Sequence, residues 1–391
     1  MPLPELIEIV PLSAPVKAEI VVPGSKSITN RALVLAALSK GRTTLRGALW
    51  SEDVQVMVDC LERLGFETTV EPDLTEPGNR TISVVGRDGL IPNAGTANRP
   101  LELFVGNAGT AARFLAALVC LGKGKYRLTG VPRMHERPQA ALLQSLRQLG
   151  YLIDSPNDRL PAVIHGTGPR PGRCSVSVTE SSQFASALIL SAAKGGWEID
   201  ITGANEEELP YVEMTRQLVR AFPTSGGEFQ IEPDASGGSY FWAAKAFGHD
   251  VSVSHWPVSG WQIDAEFPRF LPLPPTVSRA SQLGDSIMTS IVLAPFGKQV
   301  TEFTDLGRLR VQECERVLAL RTELTKCGAN VTEAGDTLTV HPSNLQGSEI
   351  ETYHDHRMAM CFAVVGLNVP GIRLHNPECV RKTFPNFFQK L

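Results

Sequence analysis

Residues 107–119 read NAGTAARFLAALV. Small and polar residues open the stretch, and the Ala/Leu-rich run that follows is apolar on almost every side of a helix. Such a helix has no solvent face and belongs inside a core. The pattern recurs five more times. Gly24-Ser25-Lys26-Ser27 leads into RALVLAAL, Glu180-Ser181-Ser182-Gln183 into FASALILSAA, and Asp234-Ala235-Ser236 into GGSYFWAAKAF. Gly284-Asp285-Ser286 leads into IMTSIVLAP and His354-Asp355-His356 into RMAMCFAVVGL. Ser, Asp and Asn at these starts read as N-caps.

A second element alternates with the first: an amphipathic helix that stops at glycine before a β-like stretch. LERLG ends at Gly65, LRQLG at Gly150 and LTKCG at Gly328, and FETTV, YLID and ANVTE follow. Glycine there suits the left-handed helix stop. A fourth stretch, 211–222, is a weaker copy. The chain therefore reads as six βα-containing units, three in each half, with a boundary near 231–234. The strands expected around 7–10 and 19–22 fit either half. Residues 256–275, rich in Pro and Trp, read as a long surface connection. If the buried helices pack in triplets, their N-termini converge and present partial positive charge and free N–H groups to an anion. Core helices that merely carry caps fit the same pattern.

The chain has 391 residues, 42 % hydrophobic and 20 % charged, with a net charge of −4. That balance fits two globular domains and argues against nucleic-acid or membrane-surface binding by bulk charge. The first ten residues carry Glu5 and Glu8 and no Lys or Arg, unlike a secretory signal. No apolar run approaches the length of a membrane span. Seven cysteines, none in a CxxC pair, fit reduced thiols in the cytoplasm.

Individual motifs each leave two readings open. Gly24-Ser25-Lys26-Ser27 lacks the first glycine of a P-loop; it sets Lys26 at a helix start with Arg31 about a turn deeper, and a solvated lysine fits equally. Residues 93–99 and 107–113 are near-copies, but Pro100 blocks a helix after the first. Only the second has a helix behind it, where Gly109 lets a ligand approach the backbone. Arg133 and Arg137 lie in a Pro-bounded loop that faces either a cleft or water. Glu313 and Arg316, at i and i+3 of a predicted helix, share a face and fit a structural salt bridge. His354 and His356, at i and i+2, do not share a helix face and make a poor metal pair.

In order, GSKSITNRALVLAAL, LFVGNAGTAARFLAAL, LTGVPRMHERP, SSQFASALIL, LGDSIMTSIVLA, TYHDHRMAMCF and RKTFPNFF resemble the 5-enolpyruvylshikimate-3-phosphate synthases over the whole chain from Pro23 onward. The resemblance implies an α/β (α+β) enolpyruvyl transferase fold of two domains, each of three βαβαββ-type units around buried helices. The domains would be 23–233 and a discontinuous 1–22 plus 234–391, with the active site in a cleft that closes on substrate. It implies transfer of the enolpyruvyl group of phosphoenolpyruvate to the 5-hydroxyl of shikimate 3-phosphate, with release of phosphate. Neither metal nor organic cofactor is implied, and the expected partners are the two small-molecule substrates of a cytoplasmic monomer, with no nucleic acid and no membrane.

By the same resemblance Asp285 is the base for the hydroxyl, a role compatible with helix capping, and Glu313 is the acid for the methylene carbon. Lys26 touches both substrates. Ser27, Arg31, Ser181, Ser182, Gln183, Asp285 and Gln312 fall on the shikimate 3-phosphate side. Asn107, Gly109, Arg133, Gln183, Arg316, Arg357 and Lys382 fall on the phosphoenolpyruvate side, where glyphosate would compete. Three positions depart from the family pattern, all toward the acceptor: Glu208 for a phosphate-binding Ser, Gln312 for Lys and Arg308 for Asn. The alternative is an enolpyruvyl transferase for a different alcohol. The sister enzyme acting on a UDP-sugar typically carries a Cys in the loop matching 131–138, and none stands there.

Overall fold

Each of the six apolar runs forms a buried helix that starts at or within a residue or two of the small or polar residues opening it. The computed structural model describes residues 3–203 and 209–391. The chain divides into two compact units, Gly24–Glu232 and a second made of Met1–Pro23 with Pro233–Leu391. The first is called the inserted unit and the second the split unit.

In the inserted unit the buried helices are α1 (Lys26–Leu38), α3 (Gly109–Leu118) and α6 (Ser182–Gly195), which pack on one another. Between them come α2 (Glu52–Arg63), the short α4 (Pro132–Glu136) and α5 (Ala140–Gln148), and α7 (Leu209–Ala221) follows α6. α2 shows the amphipathic design: Val54, Met57, Val58 and Leu61 are buried while Glu52, Gln55, Asp59 and Glu62 face water. The chain after α2 and α5 turns at Gly65 (φ +87°) and Gly150 (φ +85°), a backbone conformation that costs an L-residue with a Cβ.

Two four-stranded sheets share one pattern. Gly227–Gln230 runs parallel to Lys40–Leu49, which pairs antiparallel with Asn79–Arg87, and that with Thr68–Pro72. Likewise Leu101–Phe104 is parallel to Lys123–Thr129, followed by antiparallel Ala162–Thr167 and Leu152–Asp154. A third sheet holds only Gly172–Ser177 parallel to Trp197–Thr202.

The split unit buries α8 (Ala235–Trp242), α9 (Ile287–Leu293) and α11 (His356–Gly366), flanked by α10 (Arg316–Lys326) and the C-terminal turn α12 (Phe387–Lys390). After α10 comes Gly328 at φ +90°. Its four-stranded sheet repeats the same senses: Thr276–Ser278 parallel to Thr301–Thr304, then antiparallel Thr337–Val340 and Val331–Ala334. Both N-terminal strands belong here. Leu6–Glu8 pairs antiparallel with Arg373–His375, itself parallel to Glu349–Ile350, and Lys17–Ile20 pairs parallel with Asp250–Val253. The full βαβαββ pattern is thus complete in three sheets and abbreviated in the others.

Among the described residues, a buried helix is the crossover of four of the six parallel pairs, and in the other two the connections are exchanged where the chain passes between units. Lys17–Ile20 leads into α1 but pairs with the strand after α8. Gly227–Gln230 leads into α8 but pairs with the strand after α1.

The stretch 256–275 is not the surface connection expected from its composition. It contains a 3-10 turn, Ile263–Phe270, with Asp264 and Phe267 buried against α8. Its aromatic residues pack inward: Trp256 stacks edge-on to Trp242 and donates to the Ala265 carbonyl, and Phe267 is fully buried.

Candidate active site

In the inserted unit, side chains tie the first two turns of α1, α3 and α6 together. Arg31 Nη2 donates to Ser186 Oγ at 3.1 Å, the Arg31 guanidinium lies 5.2 Å from the Phe114 ring centre, and that of Arg113 lies 5.9 Å from Phe184. The N-termini therefore lie at one end, bringing together Lys26, Ser27, Gly109, Ser181, Ser182 and Gln183. Lys26 Nζ meets Asp53 Oδ2 of α2 at 3.2 Å. Ser181 caps α6, its hydroxyl accepting from Gln183 N–H at 3.2 Å, and Ser181 and Ser182 are both buried.

Arg31 turns inward. Nε donates to Thr215 Oγ1 at 2.7 Å and Nη1 to the Ser27 carbonyl at 2.9 Å, and burial lowers its pKa to about 10. Gly109 opens α3 under two guanidinium groups: Arg113 Nη1 donates to the Gly109 carbonyl at 3.0 Å and Arg137 Nη1 to the Asn107 carbonyl at 3.1 Å. Arg137 stands beside Gly109. Arg133 is more than half exposed and pairs with Glu136 at 2.6 Å. Glu208 lies outside the described residues.

The split unit gathers the acidic candidates. Asp285 Oδ1 meets Arg279 Nη2 and Oδ2 meets Arg357 Nη2, each at 3.1 Å. Burial alone would raise Asp285, but Arg357, then Arg279 and Arg316, hold it well below the usual carboxylate range. Asp285 is not a helix cap. Ser286 holds the N-cap position of α9, and the Asp285 carboxylate is committed to the two arginines. Side-chain caps form at only half of the six buried helices: Ser181, Asp234 and Asp355 accept from N–H groups in the first turns of α6, α8 and α11, whereas α1, α3 and α9 have none.

Glu313 does not sit on a helix with Arg316, because α10 begins at Arg316 with Glu315 as its N-cap and Glu313 occupies the bend before it. The two side chains still meet, Arg316 Nη2 to Glu313 Oε2 at 2.8 Å, and Lys382 Nζ reaches Glu313 Oε1 at 2.9 Å. Arg316 is buried. Nε and Nη2 donate to Asp355 at 2.7 and 3.1 Å, and Nη1 donates to Gln312 Oε1. Cys314 donates to Asp355 at 3.4 Å; burial and that carboxylate push its thiol far up, leaving it protonated and inert.

The C-terminal segment delivers Lys382 by aromatic packing. Phe384 and Phe387 contact Phe241 of α8, and Phe387 meets Tyr240 edge-on. Asp264 levels the starts of α8 and α9: it accepts from Ser236 Oγ, and from Ser286 N–H and Oγ at 3.1 and 2.6 Å. Among the described residues, no group of three or more His, Cys, Asp or Glu is placed to hold a metal ion, and His354 bonds instead to Asn376.

The family model of EPSP synthase (3-phosphoshikimate 1-carboxyvinyltransferase) matches residues 10–225 and 273–391. The chain belongs to the EPSP synthase family. A 3-phosphoshikimate 1-carboxyvinyltransferase of Nostoc sp. is 37 % identical over 429 aligned positions, covering 99 % of this chain and 98 % of the relative. One from Vibrio campbellii is 37 % identical, with 96 % of each covered. An EPSP synthase structure from Acinetobacter baumannii superposes with a TM-score of 0.77 at 21 % identity, over 98 % of this chain and 97 % of that one. An enolpyruvyl transferase structure from Streptomyces tendae superposes at 0.71 and 14 % identity, over 99 % of this chain and 96 % of that one. At those identities the structures speak for the fold. The family model skips 226–272, the stretch that holds α8, the 3-10 turn after it that stops at Gly248 (φ +84°), and the turn 263–270. No helix among the described residues is long and apolar enough to cross a membrane.

Four residues of these clusters escaped the sequence reading as partners of the candidates: Asp53, Asp264, Arg279 and Asp355. Asp355 was visible only as a helix cap. The others are single charges whose partners lie 20 or more residues away or across a short loop, and periodicity carries no trace of such pairs.

Proposed function

We propose that this chain transfers the enolpyruvyl group of phosphoenolpyruvate to the 5-hydroxyl of shikimate 3-phosphate and releases phosphate. One observation carries the chemistry: within the split unit, two carboxylates, Asp285 and Glu313, are each held by cations that suit an anionic substrate, Arg357 for the first and Lys382 with Arg316 for the second. The reaction needs a base for the hydroxyl and an acid for the methylene carbon. Asp285 takes the first role. Glu313 takes the second once Lys382 and Arg316 turn from it toward phosphoenolpyruvate. The inserted unit supplies Lys26, Ser27, Arg31, Ser181, Ser182 and Gln183 for the acceptor, and Asn107, Gly109 and Arg133 for phosphoenolpyruvate. Arg31 orders its neighbours through Thr215 and Ser186 while it does so.

A phosphate-release assay with phosphoenolpyruvate and shikimate 3-phosphate tests the reading. Steady release that depends on both substrates is the expected result. Release only with another alcohol would move the assignment to a transferase of different acceptor, for which Gln312 and Arg308 are the first residues to examine. No release with any alcohol would sink it.

A further inference from the structure

The fold treats the two oxygens of Asp285 differently. Oδ1 is held by Arg279, whose side chain is 1 % exposed, and Oδ2 by Arg357, whose side chain is 14 % exposed. Arg279 follows the strand Thr276–Ser278 directly, and its backbone N–H donates to the Thr304 carbonyl at 3.2 Å, so it is anchored in the sheet. Arg357 is the second residue of α11. The backbone on both sides of Asp285 is fixed as well, with Gly284 and Ser286 N–H donating to Asp264 Oδ1 at 2.8 and 3.1 Å. One oxygen therefore faces a guanidinium sealed inside the unit. The other faces a guanidinium that a ligand can recruit.

We propose that Arg279 is a positioning residue for the transfer reaction: it clamps Asp285 Oδ1 and leaves Oδ2 as the oxygen that takes the hydroxyl proton once Arg357 turns to phosphoenolpyruvate. The inference rests on Asp285 being the base. A guanidinium stays charged at any working pH, and a buried one is tolerated only when paired. When Arg357 leaves Oδ2, Arg279 still holds the carboxylate plane and keeps it ionised. The hydroxyl O–H bond then breaks toward Oδ2 as its oxygen bonds to the substituted carbon, and the former double-bond electrons take a proton at the methylene carbon. Among the described residues, Tyr240 of α8 and three charged groups act on this pair from packed elements. Arg316 of α10 acts on Asp285, while Asp264 and Asp234, beside α8, act on Arg357. All three remain when Arg279 is changed.

The test compares Arg279→Gln, Arg279→Lys and Asp285→Asn with wild type. Arg279→Gln is expected to lower kcat by about 10- to 100-fold, the scale of a misplaced reacting group, with KM for phosphoenolpyruvate nearly unchanged. The base works ionised, and losing a cation raises its pKa, so activity is lost at higher pH on acidification. The acid limb of the kcat profile is expected to rise by about 1 to 3 units. Arg279→Lys keeps the charge without the planar fork, so its acid limb stays in place while kcat falls several-fold. An inactive Asp285→Asn beside an Arg279→Gln with wild-type kcat and pH profile overturns the role of Arg279 and leaves the base in place. Near-normal turnover of Asp285→Asn overturns the reading of the base itself. Should Arg279→Gln fail to fold, Arg279→Lys decides: wild-type kcat in that variant removes the positioning role.

Discussion

On the proposed reading, Asp285 joins chemistry and stability at a single residue. In its proposed role as the base it is worth about 10² to 10⁴ in turnover, and the same holds for Glu313 in its proposed role as the acid. Asp285→Asn and Glu313→Gln are each expected to lose that much kcat in the phosphate-release assay; near-normal turnover in either removes its role. The pairing also sets a pH dependence. The folded pKa of Asp285 lies below its unfolded value of about 3.9, so the pair stabilises the fold above that value and loses its contribution as pH falls toward the folded pKa. The stability gap between wild type and Asp285→Asn in urea is therefore expected to be flat from about pH 5 to 8 and to close below about pH 4. A gap that persists unchanged to about pH 3 would contradict the pairing. Gly109 gives a second test. A Cβ there meets Arg137 Nη2 at 2.6 Å and Arg113 Nη1 at 2.7 Å, both ends of side chains. Gly109→Ala should displace the guanidinium groups of Arg137 and of the buried Arg113, lowering the melting temperature somewhat while weakening glyphosate more than phosphoenolpyruvate. Equal effects on both would show that Gly109 does not line that site.

Among the elements, α11 has the most constrained entry. Tyr353 and His354 precede its cap with φ of +55° and +53°, and Asn376, bonded to His354, stands at +48°. Left-handed backbone is costly for L-residues, least so for Asn and Gly. The turn holds because Tyr353 Oη donates to the buried Glu323 at 2.8 Å, and it delivers Asp355 and Arg357 to their partners. Replacing the exposed His354 with Asn, which tolerates this conformation, is expected to stabilise the protein by on the order of 1 kcal/mol in denaturant unfolding. A loss of stability would show that the bond to Asn376 outweighs the backbone strain. The entry of α10 is ordered differently, by ion pairs: Arg310 binds Asp336, Glu315 and Glu333, tying the loop that carries Glu313 to the hairpin 331–340.

For the whole molecule, the inserted unit has its own sheets and core, and its two ends meet: Ser25 N–H donates to the Glu232 carbonyl at 2.8 Å. Residues 24–232 expressed alone are expected to fold and melt cooperatively, and to release no phosphate, since Asp285 and Glu313 lie elsewhere. A disordered circular dichroism spectrum for that fragment would refute its independence. The six buried helices and the glycine stops at Gly65, Gly150 and Gly328 were legible in the sequence, because composition and period report burial and a left-handed stop is a local demand on one residue. The motif order likewise pointed to the family. Tertiary structure alone decided the rest. It exchanged the strand partners of 17–20 and 227–230 where the chain passes between units, it buried Asp264 in what read as a surface loop, and it gave Asp285 to Arg279, Arg316 to Asp355 and Lys26 to Asp53. The physical reason is common to all of these: strand pairing and ion pairing join groups distant in the chain, and their energy depends on geometry and dielectric that no local pattern encodes.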